Sequence, residues 1–137
     1  GSGDRSRLFR RVHHVGVAVR DLDKALHTYS VALGLPVSHT IDFDRWGAHD
    51  VMLTLGNGYY WELIQASDPD KPVGRFLARH GDGVYVVSLE VEDVVEAEQR
   101  AKAGGLRVTP GVQPTVRFLH PSDTHGVLIE LLDKSDA

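Results

Sequence analysis

The chain has 137 residues, no cysteine, 15 Lys and Arg against 19 Asp and Glu, and a formal net charge of −4. Its length suits one domain able to bury a core, and its 42% hydrophobic and 25% charged content is that of a globular protein. Disulfides and thiolate chemistry are excluded, and a mild negative balance with no Lys/Arg run longer than two gives no motive for nucleic acid or an anionic membrane.

No apolar run approaches the roughly 20 residues of a membrane span, and no signal peptide is visible. A cytoplasmic protein acting on a small molecule is therefore expected. The opening Gly1-Ser2-Gly3 reads as an expression scar, and residues 1–11 as tag and N-terminal arm. Val12–Val19, β-branched and apolar, reads as a buried strand. Asp21 is placed to cap a helix in which Leu22, Ala25, Leu26, Tyr29 and Leu33 recur at helical spacing, and Gly34 ends it. Val37–Phe43 and Ala48–Leu55 read as strands, Asn57-Gly58 as the turn of a hairpin, and Tyr59–Gln65 as the returning strand.

Residues 66–83 form a connector with a short helix at Val73–Arg79. The plan then repeats. Val84–Val91 is a strand, Asp93 caps a helix through Ala103, and Gly104-Gly105 stops it. Leu106–Thr109 and Val116–Leu119 follow as short strands, and Val127–Leu132 as the last. Residues 133–137 read as a frayed tail.

The second half is a copy of the first. His14-Val-Gly-Val-Ala-Val-Arg-Asp-Leu lies over Val86-Val-Ser-Leu-Glu-Val-Glu-Asp-Val, Gly34-Leu-Pro-Val over Gly105-Leu-Arg-Val, and Glu62-Leu-Ile over Glu130-Leu-Leu. Two βαβββ modules, 12–65 and 84–132, therefore make an α+β fold: a curved mixed sheet with a central cup. Homodimerisation is expected, with apolar strand edges as the motive.

Strand residues alternate faces, so parity decides what shares the cup. His14, Gly16 and Ala18 share a side; Tyr60 and Ile64 flank Glu62, and Leu128 and Leu132 flank Glu130. A carboxylate among apolar neighbours wants a metal, a basic partner or a retained proton. His14, Glu62 and Glu130 thus form a candidate metal set of one imidazole and two carboxylates, suited to Zn, Co, Mn, Fe or Ni; the alternative leaves both glutamates on an exposed sheet face or pairs them with Arg117 and Lys24. His13 competes with His14 by residue type. The repeat position that would supply a second His is Val86. His120 and His125 flank a turn and serve it through local hydrogen bonds, or one of them, or Tyr85, replaces the missing ligand.

At these residues the chain resembles the vicinal-oxygen-chelate, or glyoxalase, superfamily, and within it the methylmalonyl-CoA epimerases. Arg75-Phe-Leu-Ala-Arg-His-Gly-Asp-Gly and Phe118-Leu-His-Pro-Ser-Asp-Thr-His-Gly-Val-Leu-Ile-Glu-Leu carry the likeness together with the stretches around His14 and Glu62. The resemblance implies a four-position metal site, matched here by His14, Glu62 and Glu130, with Val86 where those enzymes have His. It implies a proton-transfer carboxylate on the strand before the hairpin, which Asp50 matches; His49 points the other way. The activity implied is an isomerase or lyase that enolises an acyl thioester or 1,3-dicarbonyl compound, with Asp50, Glu62 and Glu130 as acid/base groups. The alternative, favoured by Val86 and by aromatic surface from Trp46, Tyr60, Trp61, Tyr85 and Phe118, is a metal-free member: a natural-product cyclase or isomerase, or a drug-binding protein.

Overall fold

The computed structural model describes residues 7–137, so Gly1-Ser2-Gly3 lies outside the described residues. Eight strands and three helices make a mixed α+β fold among them. These are β1 (Phe9–Ala18), α1 (Leu22–Leu26), β2 (Val37–Phe43), β3 (Ala48–Gly56), β4 (Tyr59–Ala66), α2 (Pro72–His80), β5 (Gly83–Val91), α3 (Val94–Ala103), β6 (Val108–Pro110), β7 (Val116–Leu119) and β8 (Ile129–Asp133). No helix among the described residues is long and apolar enough to cross a membrane.

The local signals work as chemistry predicts. The Asp21 carboxylate accepts from the Lys24 amide at 3.0 Å, and Asp93 accepts from Val95 and Glu96 at 2.9 and 3.1 Å, each satisfying orphan donors of a first helical turn. Asn57 and Gly58 both hold positive φ, 56° and 80°, as a two-residue hairpin turn demands.

Two compact units emerge: His14–Tyr85, and a second joining the segment up to His13 with Val86–Ala137. In the first the strand order is β2-β3-β4-β1, with β1 parallel to β4 and the other pairs antiparallel. Val17, Val51, Leu53 and Leu63 turn one face of these strands to Leu22, Ala25, Leu26 and Tyr29 of the helix, and that is the core. The other unit repeats the scheme as β5-β8-β7-β6, with β5 parallel to β8. Leu8, Val91, Leu119 and Leu131 pack there on Val94, Ala97 and Ala101 of α3.

Several boundaries differ from expectation, among them β6, which is Val108–Pro110 rather than Leu106–Thr109. β1 starts at Phe9 rather than Val12, because Arg10 and Arg11 each donate to Glu90 at 2.7 Å and the Leu8 carbonyl accepts from the Glu92 amide at 2.8 Å. The first helix passes after Leu26 into a π-helical stretch, His27–Ala32, where the Leu33 amide reaches back five residues to Thr28. The Thr28 hydroxyl donates to the Lys24 carbonyl at 3.2 Å, in competition with the ordinary ladder. β8 begins at Ile129 rather than Val127, because the Val127 carbonyl is taken by the Thr124 hydroxyl. The tail also makes a short 3-10 turn, Lys134–Asp136, capped by Asp133.

Candidate active site

The strand registers of the first unit put three rows of side chains on the face opposite its core. Across β3, β4 and β1 run Thr54, Tyr60 and His14. The next row is His39, Met52, Glu62 and Gly16, and the third is Ile41, Asp50, Ile64 and Ala18. His14 Nε2 stands 3.6 Å from Glu62 Oε1.

Asp50 and Glu62 are 3% and 6% exposed, which is unusual for carboxylates. Burial pushes the Asp50 carboxyl above its ordinary range, and hydrogen bonding with Glu62 and the nearby His49 offset this only in part. Asp50 Oδ1 has no hydrogen-bond partner among the described residues. A buried acceptor left in that condition is costly, and a ligand that donates a hydrogen bond would relieve it. Burial also raises the Tyr85 phenol, with the Asp50 charge adding to the effect; the Tyr85 ring stands edge-on to Phe76 at 5.2 Å.

The structure thus brings together His14, Glu62 and Asp50. Glu130 belongs to the other unit, on β8 between Ser88 of β5 and Phe118 of β7. Ser88 is fully buried, and its hydroxyl has no hydrogen-bond partner among the described residues. Val86, in the same unit, is 7% exposed and offers no donor atom. No group of three or more His, Asp or Glu among the described residues is arranged to hold a metal ion. Of the four positions expected from the resemblance, three carry a possible ligand, His14, Glu62 and Glu130, and Val86 carries none.

The remaining histidines take other roles. His13 is buried, and desolvation followed by Arg11 lowers its pKa, so its cation is disfavoured. His49 Nδ1 lies 2.6 Å from Asp42. His120 Nδ1 accepts from the Ser122 amide at 3.1 Å and so caps the turn. Arg117 pairs with Glu98 at 2.7 Å rather than with either site glutamate.

Sequence reasoning missed His39, which sits in the Glu62 row with its ring 5.9 Å from Tyr60 and edge-on to it. The β2–β3 register would have found it, but a bulge between Val37 and His39 hides that register from simple counting.

Comparison with known proteins shows the family and the fold. The family model for the glyoxalase/bleomycin resistance protein/dioxygenase superfamily matches residues 13–120. The ethylmalonyl-CoA/methylmalonyl-CoA epimerase of Cereibacter sphaeroides is 34% identical over 132 residues, covering 90% of this chain and 98% of that one. The crystal structure of methylmalonyl-CoA epimerase from Mycobacterium tuberculosis superposes with a TM-score of 0.83 at 30% identity, over 93% of this chain and 90% of that one. A methylmalonyl-CoA epimerase in complex with methylmalonyl-CoA and NH4+ matches with a TM-score of 0.81 at 32% identity, over 91% and 94%. The chain belongs to the glyoxalase/bleomycin resistance protein/dioxygenase superfamily, where it stands with the methylmalonyl-CoA epimerases as an epimerase-like isomerase.

Proposed function

We propose that this isomerase enolises a small carbonyl substrate, an acyl thioester or related 1,3-dicarbonyl compound, using protein carboxylates to move the α-proton. The observation that carries this is the buried pair Asp50 and Glu62 beside His14. Asp50 is the base that takes the α-proton, and Glu130, on β8 of the other unit, is the second carboxyl proposed for acid/base work. His14 steadies Glu62, whose carboxyl in turn hydrogen-bonds Asp50. Buried acid/base groups with shifted pKa values suit proton transfer near neutral pH.

His14, Glu62 and Glu130 are the side chains that a divalent cation would use, and a bound cation would supply Lewis acidity at the carbonyl oxygen. With Val86 in place of an imidazole, the proton path is assigned to the chain's own groups. The enzyme is proposed to act in the cytoplasm as a homodimer, an assembly that sedimentation analysis checks. The functional test is α-proton exchange in D2O, followed by NMR with a panel of acyl thioesters, with and without EDTA. Exchange is expected with wild type and should fall at least 100-fold in Asp50→Asn and Glu130→Gln; equal rates in all three would refute the assignment.

A further inference from the structure

We infer that Ser88 is a specificity-determining residue of this enzyme: its hydroxyl donates a hydrogen bond to an oxygen of the bound acyl compound, beside Glu130. The inference rests on the enolising reading above and adds a substrate contact to the second unit. It starts from a difference between the two copies. In the first copy β1 carries His14 and Gly16, and Gly16 stands opposite Glu62 in a parallel ladder. In the second copy the equivalent residues of β5 are Val86 and Ser88, and Ser88 stands opposite Glu130 in a parallel ladder. The side chain with hydrogen-bonding atoms therefore sits two residues further along the strand, which keeps it on the same face. Gly16 shows that the repeated architecture needs no hydroxyl at this position.

That face is the one turned away from the helix. Val91, Leu131 and Leu119 pack on α3, so by alternation Ser88, Glu130 and Phe118 form a row on the opposite side. Ser88 is 0% exposed, and its hydroxyl has no hydrogen-bond partner among the described residues. A hydroxyl buried in that condition destabilises the fold. A site holding such a group favours the ligand that completes the bond over one that lacks the matching atom. On the same strand and face, Val86 has no side-chain acceptor, and both oxygens of Glu90 already accept from Arg10 and Arg11.

A serine hydroxyl is compact and neutral, and it donates to carbonyl, carboxylate and hydroxyl oxygens alike. Its bond to a substrate oxygen is compatible with a cation at the site or with none. Adjacent strands lie about 4.8 Å apart, so an acyl group at Glu130 comes within the reach of Ser88.

The test compares wild type with Ser88→Ala, which removes one oxygen atom and adds none. Two pantetheine thioesters are the probes: methylmalonyl, and isobutanoyl, in which a methyl replaces the carboxylate. Binding of each is measured by calorimetric titration with added Co2+, and α-proton exchange of the methylmalonyl thioester is followed in D2O. Ser88→Ala is expected to weaken methylmalonyl binding at least 5-fold. The Tm of the ligand-free variant should stay level or rise, because an apolar group replaces an unpaired buried hydroxyl. An equal loss with the isobutanoyl thioester would assign the bond to the thioester carbonyl; a loss confined to methylmalonyl would assign it to the carboxylate. A smaller effect on binding, or a lowered Tm of the free protein, would overturn the inference, since the hydroxyl would then be idle or bonded within the fold. Wild-type exchange alongside either result leaves enolisation intact. No exchange by wild type, with or without Co2+, would remove both.

Discussion

Gly74 sits inside α2, where helix propensity alone says that alanine should stabilise by roughly 0.5–1 kcal/mol. The structure reverses that sign. A Cβ built at Gly74 would lie 2.5 Å from the Asp68 carbonyl oxygen, 2.6 Å from Pro69 Cα and 2.7 Å from Pro69 C. All three are backbone atoms, so no side chain can swing aside, and the helix or the 68–70 loop must shift by about half an ångström. Overpacking of this kind costs about 1–3 kcal/mol; with three backbone contacts the upper range applies, and the propensity gain offsets part of it. Gly74→Ala should therefore destabilise by about 2 kcal/mol, or lower Tm by about 8 °C for a chain of this length. Gly104→Ala is the control: its Cβ would come no closer than 3.6 Å to anything, and φ there is −86°, so Tm should stay level or rise. Calorimetry on both variants is the assay. A Gly74→Ala protein as stable as its parent would refute the close approach of α2 to that loop.

Asp50→Asn should lose about 10²–10⁴-fold in exchange rate while keeping or raising Tm, since an amide is cheaper to bury than a carboxyl that burial already disfavours. Because the Asp50 pKa is raised, the base is ionised only above the ordinary carboxylate range; the wild-type rate should climb with pH through that point, and a flat profile would count against Asp50 as base. Glu90→Gln should destabilise by about 1–3 kcal/mol in urea titration at pH 7, since it removes charge-assisted bonds from Arg10 and Arg11, both of which can rehydrate. Burial pushes the Glu90 carboxyl up, but hydrogen bonds from Arg11 and Arg10 outweigh it and leave the folded pKa below the unfolded one. Its contribution is thus complete above the unfolded pKa and lost as pH falls through the folded one, so wild type and variant should converge in stability once the pH lies below the folded pKa. Arg107→Ala should leave stability almost unchanged, because its Asp123 pair is exposed, and NMR titration should show Asp123 moving up from about 2 toward the usual carboxylate range.

Much of the site was legible because strand parity and repetition are properties of the chain itself. His14, Gly16 and Ala18 alternate on a strand, and the copy fixes which Glu answers which. The caps at Asp21 and Asp93 could be read for the same reason, since a side-chain acceptor two or three residues ahead of a free amide acts locally. What escaped depended on distant partners. Nothing near Leu8 or Arg10 announces a strand; Glu90 and Glu92 do, and they lie some eighty positions later. The π-helical stretch turns on a competition among carbonyls around Thr28 that periodicity cannot weigh, and His39 on a bulged register. The conjunction of Asp50 with Glu62 appears only once β3 and β4 are paired.

The long wait between Leu8 and its companions has a kinetic side. During synthesis, residues 8–11 emerge well before the glutamates, α3 and β8 that enclose them. The segment 14–85 holds its own partners and can condense early, while the leading strand stays half zipped with Leu8 and Phe9 in water. Pairing so remote in sequence slows folding and leaves an apolar strand end open to other chains meanwhile. Arg10 and Arg11 guard that interval: until Glu90 arrives to neutralise them, their charge keeps the waiting strand from pairing with its neighbours.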